Sequence, residues 1–215
     1  MTKPFDKQCA ARSTSRGHGF LSTILVLVLC AGSAAANEEN EKELLYNPGF
    51  EEPLIEPGFS LNKPEGWLVF TSSPGKDRFR LTTEVFHSGD QALHVASQNE
   101  RNSFQGLAQA IPVQEDTVYA FSVYVHNDPD EPLSGTVRAQ MSIEWKNGHG
   151  EEIRRQWGPE WNRRLPRHRW EHFSMTARAP RDAVTGVFGI TQFNEQRTMD
   201  GGAFYMDTVS VKQKR

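Results

Sequence analysis

From residue 66 to residue 212 the chain is cut into short runs of β-type sequence, each stopped by turn residues. GWLVFTS (66–72) ends at Ser73-Pro74-Gly75, RFRLTTEVF (78–86) at His87-Ser88-Gly89-Asp90, and TVYAFSVYVHN (117–127) at Asp128-Pro129-Asp130. QALHVAS (91–97), SFQGLAQAIPV (103–113), TVRAQMSIEW (136–145), RWEHFSMTARA (169–179), AVTGVFGITQF (183–193) and AFYMDTVSVK (203–212) complete the series. Runs of this length and composition between Gly, Pro, Asn and Asp clusters are strands. In 136–145, Val137, Ala139, Met141, Ile143 and Trp145 alternate with Arg138, Gln140, Ser142 and Glu144. That period of two suits an antiparallel sheet with one dry and one wetter side. No segment repeats apolar residues at helical spacing. About ten strands in one domain predict an all-β fold, an antiparallel β-sandwich of the jelly-roll kind.

The N-terminus sets the expected compartment. Lys3, Lys7, Arg12 and Arg16 precede an apolar run, Phe20 to Cys30, and Ala34 and Ala36 follow at small-residue spacing. This is the order of a secretory signal peptide, expected over 1–36 with cleavage after Ala36. The apolar run falls short of the roughly 20 residues a membrane span needs. Acylation at Cys30 is the alternative, against which Leu29 is a large residue for the preceding position. Removing 1–36 takes away both cysteines and leaves 20 basic against 26 acidic residues, a net charge of −6. The mature chain, a short polar linker (37–43) and one domain (44–213), then has no disulfide. Export and negative charge exclude nucleic acid as the expected partner. A secreted or periplasmic monomer is expected.

Several motifs in order carry a resemblance: YNPGFE (46–51), PEGW (64–67), HSGDQALHV (87–95), VYAFSVYV (118–125), RWEHFSMTARAP (169–180) and AFYMDTVSV (203–211). The chain resembles carbohydrate-binding modules of the CenC-like, cellulose- and xylan-binding type, which have the galactose-binding-like jelly-roll fold. The resemblance implies an exported, non-catalytic domain that binds a polysaccharide or oligosaccharide. It also implies a structural calcium, held by the carbonyls of Gly49 and His87 and the carboxylates of Glu51, Glu84 and Asp207. Such an all-oxygen set is what calcium takes. It implies further that sugar lies along a concave sheet whose matching strands here are 117–127, 136–145 and 183–193. Tyr124, Arg138, Gln140, Glu144 and Gln192 would face it, with Trp67 a platform or a core residue. Gly186 and Gly189 leave strand 183–193 few aromatics for stacking.

Catalytic readings find less. His168 and His172, four apart, would lie roughly 13 Å apart on a strand, too far to share one zinc. No Gly-x-Ser-x-Gly is present. A glycosidase would need a carboxylate pair about 5–10 Å apart, which sequence cannot assign among Glu144, Glu151, Glu152, Glu160 and Glu171. A small glycan-degrading enzyme, glycosidase or polysaccharide lyase, stays as one alternative. A structural or protein-interaction domain of the cell envelope is the other.

RRQWGPEWNRRLPRHRW (154–170) interleaves arginine with tryptophan. Gly158-Pro159 and Leu165-Pro166 exclude an amphipathic helix, which leaves a loop from about Gly158 to His168. Two readings stand. In one, Trp157 or Trp161 packs on a sheet edge and the arginine stems cover apolar surface. In the other, the loop borders the sugar site, a Trp stacks on a ring, and Arg163, Arg164 and Arg167 pair bidentately with carboxylate or sulfate groups. The second reading makes the ligand an acidic glycan.

Overall fold

A computed structural model describes residues 41–58, 63–98, 100–195 and 200–214. The expected signal peptide, Cys30 and the first four linker residues lie outside the described residues. The described chain is all-β. Ten strands run in order: β1 (Leu68–Thr71), β2 (Phe79–Thr82), β3 (Ala92–Ala96), β4 (Ser103–Pro112), β5 (Val118–Asn127), β6 (Arg138–Lys146), β7 (Glu152–Asn162), β8 (Glu171–Arg178), β9 (Thr185–Asn194) and β10 (Ala203–Lys214). They form two five-stranded antiparallel sheets, β1-β4-β9-β6-β7 and β2-β3-β10-β5-β8. Among the described residues no helix is long and apolar enough to cross a membrane.

The sandwich follows from the alternation. The inner row Ala139, Met141, Ile143 and Trp145 of β6, with Val137 just before it, is fully buried. It meets Tyr119, Phe121, Val123 and Val125 of β5 across the core, with Phe188 of β9 edge-on to Phe121 at 5.6 Å between ring centroids. Burying a large apolar side chain contributes about 1.5–3 kcal/mol, so these rows dominate the driving force. Outer residues alternate with them and are free to form a site.

YNPGFE forms no regular strand; Phe50 has positive φ (60°), and its fully buried ring packs on Trp67 at 5.3 Å. Two elements differ from the sequence reading. Glu43, expected in the linker, already bridges to Lys212, its carboxylate accepting the Val211 N–H at 2.9 Å and the Ser210 hydroxyl at 2.6 Å. The stretch expected to be a loop from Gly158 contains the end of β7, an edge strand paired with β6. Gly158 and Pro159 together oppose Met141, because the register shifts between Gln140 and Ser142. Such a bulge at an edge accommodates a proline, which cannot donate to a ladder. Gln140 donates its side-chain amide to the Gly158 carbonyl at 3.0 Å, satisfying the bulge.

Candidate functional site

The outer face of β1-β4-β9-β6-β7 carries a cleft of about 290 Å³. Its floor comes from small residues in register: Ala108 on β4 opposite Gly189 on β9, itself opposite Ser142 on β6. A Cβ on Gly189 would come within 3.3 Å of Ala108 Cβ and 3.8 Å of Ser142 Oγ, so the floor stays low because the residue is glycine. Aromatic walls rise from the neighbouring strands. Phe70 of β1 lies over Gly106, where a Cβ would sit 2.4 Å from its ring. Phe104 of β4 and Trp157 of β7 are 42% and 48% exposed. Phe193 of β9 stands 6.0 Å from Trp157 between ring centroids.

Charge at the cleft is matched. The Arg138 guanidinium lies 4.5 Å above the Phe193 ring and pairs with Glu195 at 2.6 Å and Glu160 at 3.6 Å. Arg155 sits 5.6 Å from the Trp157 ring and pairs with Glu144 and with Glu152, the latter at 2.8 Å. Glu144 also receives Lys146 at 2.9 Å. A cation over an aromatic face is attracted by the ring quadrupole and holds the ring in place. The arrangement offers apolar faces for the C–H side of a sugar ring, with arginine and carboxylate groups at the rim for hydroxyls.

The residues expected to bind ligand separate into three places. Arg138, Gln140, Glu144 and Trp157 share the cleft face, with Gln140 committed to the bulge. Trp67, Trp161 and Gln192 are interior. Trp67 donates its indole N–H to the Asn47 carbonyl at 3.0 Å, and Trp161, 2% exposed, packs between Phe173 and Phe204. Gln192 points into the sandwich, where its carbonyl accepts the Gln105 amide at 2.7 Å, because the outward residues of β9 are Val187, Gly189, Thr191 and Phe193. Tyr124 belongs to the other sheet: β5 pairs with β10 and β8, so it cannot share a face with β6. Arg163, Arg164 and Arg167 lie exposed in the turn between β7 and β8, outside the cleft lining.

Phe70, Phe104, Arg155 and Phe193 were not singled out from sequence. A signal existed in β4, where Phe104, Gly106 and Ala108 face outward while Gln105 and Gln109 are buried, an inversion of the usual polar-out pattern. The glycine that argued against stacking on β9 supplies the floor, while the rings come from β1, β4 and β7.

The expected metal ligands gather in part. Asp207 is fully buried on β10, and one oxygen accepts the amides of His87 (2.8 Å) and Ser88 (2.9 Å). Its other oxygen accepts the Thr208 amide. Glu51 accepts the Asp90 amide, and a Cβ on Gly49 would lie 3.7 Å from Glu51 Oε1 and 3.9 Å from Asp207 Oδ1. Gly89, at φ 69°, makes room for Glu51, since a Cβ there would sit 2.0 Å from Oε1. Burial pushes both carboxyls above the ordinary range, against the amides that pull them down. Glu84 departs from the set: it is exposed and lines a separate concavity with Arg80, His94 and Tyr205. His87 meets Asp207 through its amide. Among the described residues no three His, Cys, Asp or Glu side chains converge, so a cation here would rest on two carboxylates and on carbonyls. The chemistry of that pair, desolvated acids side by side, fits an oxygen-seeking cation.

A model of the carbohydrate binding domain family CBM_4_9 matches residues 42–192, and the chain belongs to that family. No curated protein sequence matches it. Among solved structures, the CBM22-2 xylan-binding domain of Paenibacillus barcinonensis Xyn10C is similar at a TM-score of 0.51 and 13% identity, over 73% of this chain and 99% of that one. The CBM22-1-GH10 modules of Clostridium thermocellum xylanase 10B, complexed with xylohexaose, give 0.54 and 16%, over 80% of this chain and 28% of that one. The bacteriophage CBA120 tailspike protein 4 enzymatically active domain gives 0.57 and 8%, and the chain spans 21% of its length. At these identities the likeness is one of fold.

Proposed function

We propose that this chain is an exported, non-catalytic polysaccharide-binding domain of the CenC-like type, which lays a neutral glycan chain in the cleft of its first sheet. The observation that carries the reading is the low Gly189–Ala108–Ser142 floor between the walls of Phe70, Phe104, Trp157 and Phe193. Sugar rings present C–H faces, and exposed aromatic rings beside a low floor gain from covering them. Neutrality of the ligand is favoured because each cleft arginine already has a carboxylate partner. A binding role is favoured over glycosidic cleavage because Glu144, the one carboxylate lining the cleft among the described residues, is held between Arg155 and Lys146. The order of basic, apolar and small residues in 1–36 supports export. Calcium at Glu51, Asp207 and the Gly49 carbonyl would neutralise the buried acids and staple the N-terminal segment to β10.

Affinity electrophoresis on xylan, mixed-linkage β-glucan and soluble cellulose derivatives tests the reading. Retention on at least one neutral gel, lost in Trp157→Ala and Phe104→Ala with the melting temperature unchanged, is the expected result. Absence of retention on every gel, or release of reducing ends from a bound polymer, overturns it.

A further inference from the structure

The outer face of the second sheet carries features that the cleft does not use. His87 stacks on Tyr124 with ring centroids 3.8 Å apart and planes 17° from parallel. Trp170 closes on His87 at 5.5 Å and on His126 at 5.4 Å, and Tyr124 reaches His172 at 4.7 Å. These five rings form one continuous band on β5, β8 and the turn before β3.

Each end of the band has its own chemistry. Beyond Tyr124 lies a shallow concavity of about 860 Å³ where Ser88, Ser122 and Thr208 meet the charges of Glu41, Glu43 and Lys212, so this end is not cationic. Beyond Trp170 lies the turn with Arg163, Arg164 and Arg167. That turn is fixed to the same sheet: buried Leu165 offers its carbonyl to the Asn127 side-chain amide at the end of β5, at 2.9 Å. None of the three arginines has an ion pair among the described residues, whereas Arg138, Arg155 and Arg169 are all paired with glutamate. The fixed turn thus holds guanidinium groups without an ion pair among the described residues at one end of the ring band, and the cationic character of this face lies at that end.

We infer that this face is a second glycan-binding surface, separate from the cleft, and that its ligand is an anionic polysaccharide bearing carboxylate or sulfate groups. Rings supply the flat apolar contact, and the guanidinium forks take the acid groups. The domain then holds two different polymers on opposite sides. The inference does not depend on what the cleft binds.

The test is retention of the full chain on gels containing polygalacturonate, dextran sulfate or xylan, at low and at high salt. The parent chain is expected on both anionic gels at low salt, with retention falling steeply as salt screens exposed charges. Combined Arg163→Gln, Arg164→Gln and Arg167→Gln is expected to weaken anionic retention about tenfold or more, as loss of several charge-assisted contacts should. Tyr124→Ala is expected to weaken it severalfold and leave the salt slope as it was. Trp157→Ala is expected to keep anionic retention in full. Retention on one anionic gel alone assigns the acid group. The inference fails if the parent chain ignores both anionic gels, if the triple variant behaves like the parent, or if Trp157→Ala loses anionic retention. It also fails if a DNA oligonucleotide competes as well as the glycans, which would mark a general polyanion surface.

Discussion

The two sheets expose rings to water in opposite ways. On the first, Phe104 and Trp157 stand up from a floor of glycine, alanine and serine, and their faces have room beside them. On the second, His87, Tyr124 and Trp170 already cover one another. A ring with an open face gains most from a sugar laid against it, whereas a stacked ring has spent part of that gain. Among the described residues the second face carries arginines without an ion pair and the first carries paired ones. This difference is the ground for proposing a neutral chain on the first and a charged one on the second. The same contrast holds underneath. The second sheet keeps the buried carboxylate of Asp207 beside Thr208 at positive φ, and the first has a floor of small side chains.

Asp207→Ala should separate the two sheets most sharply. Three backbone amides, those of His87, Ser88 and Thr208, lose their acceptor. At about 1 kcal/mol or more per buried amide, the cost should be roughly 3 kcal/mol in urea unfolding, whereas Trp157→Ala should leave the midpoint nearly unchanged. Equal stability of the two variants would erase the distinction.

Calcium comes next. Burial raises the carboxyls of Glu51 and Asp207, so the folded chain keeps their protons to higher pH than the unfolded chain does. Without metal, their contribution to stability is therefore largest in acid and declines as pH rises through the folded-state values. Calcium needs both groups ionised. Its stabilisation, about 2.7 kcal/mol at about 100 times Kd, should appear at neutral pH and fade in acid. Melting curves at two pH values, with EDTA and with calcium, measure this. Identical curves at neutral pH would remove the metal from this sheet.

On the first sheet, Trp157→Ala should cost about 1.5 kcal/mol of binding, roughly tenfold in Kd for a neutral glycan, by titration calorimetry. Glu144→Gln should have the smallest effect. It frees Arg155 from one partner and should shift preference toward carboxylated chains by about twofold, the size of a partly exposed ion pair. If it instead abolishes neutral binding, Glu144 itself holds the sugar.

The sandwich was legible because polar and apolar residues alternate along β6 and because turn residues follow strands such as β1, β5 and β6. β7 was not, since Gly158-Pro159 is also what a loop contains; only pairing with β6, with two residues set against one, shows an edge strand with a bulge. The site was legible where alternation fixes a side, as at Arg138 and Glu144. It was misread where the assignment needed sheet membership, as at Tyr124, because adjacent runs in sequence can fall in opposite sheets. Gln192 was misread because a polar residue was taken to face outward, whereas a buried glutamine pair across β4 and β9 satisfies itself. Trp67 and Trp161 show the same limit for aromatics: composition marks a ring but not the direction it points.

The bulge in β7 has one more effect. An open strand at the rim of a sheet offers a row of amides and carbonyls to which another extended chain can add, and fibril growth begins from such rims. Here Gly158 and Pro159 break the row, Pro159 contributes no donor, and Glu152, Arg154, Arg155 and Glu160 place charge along it. The strand that carries the exposed Trp157 is thus a poor template for the addition of another strand.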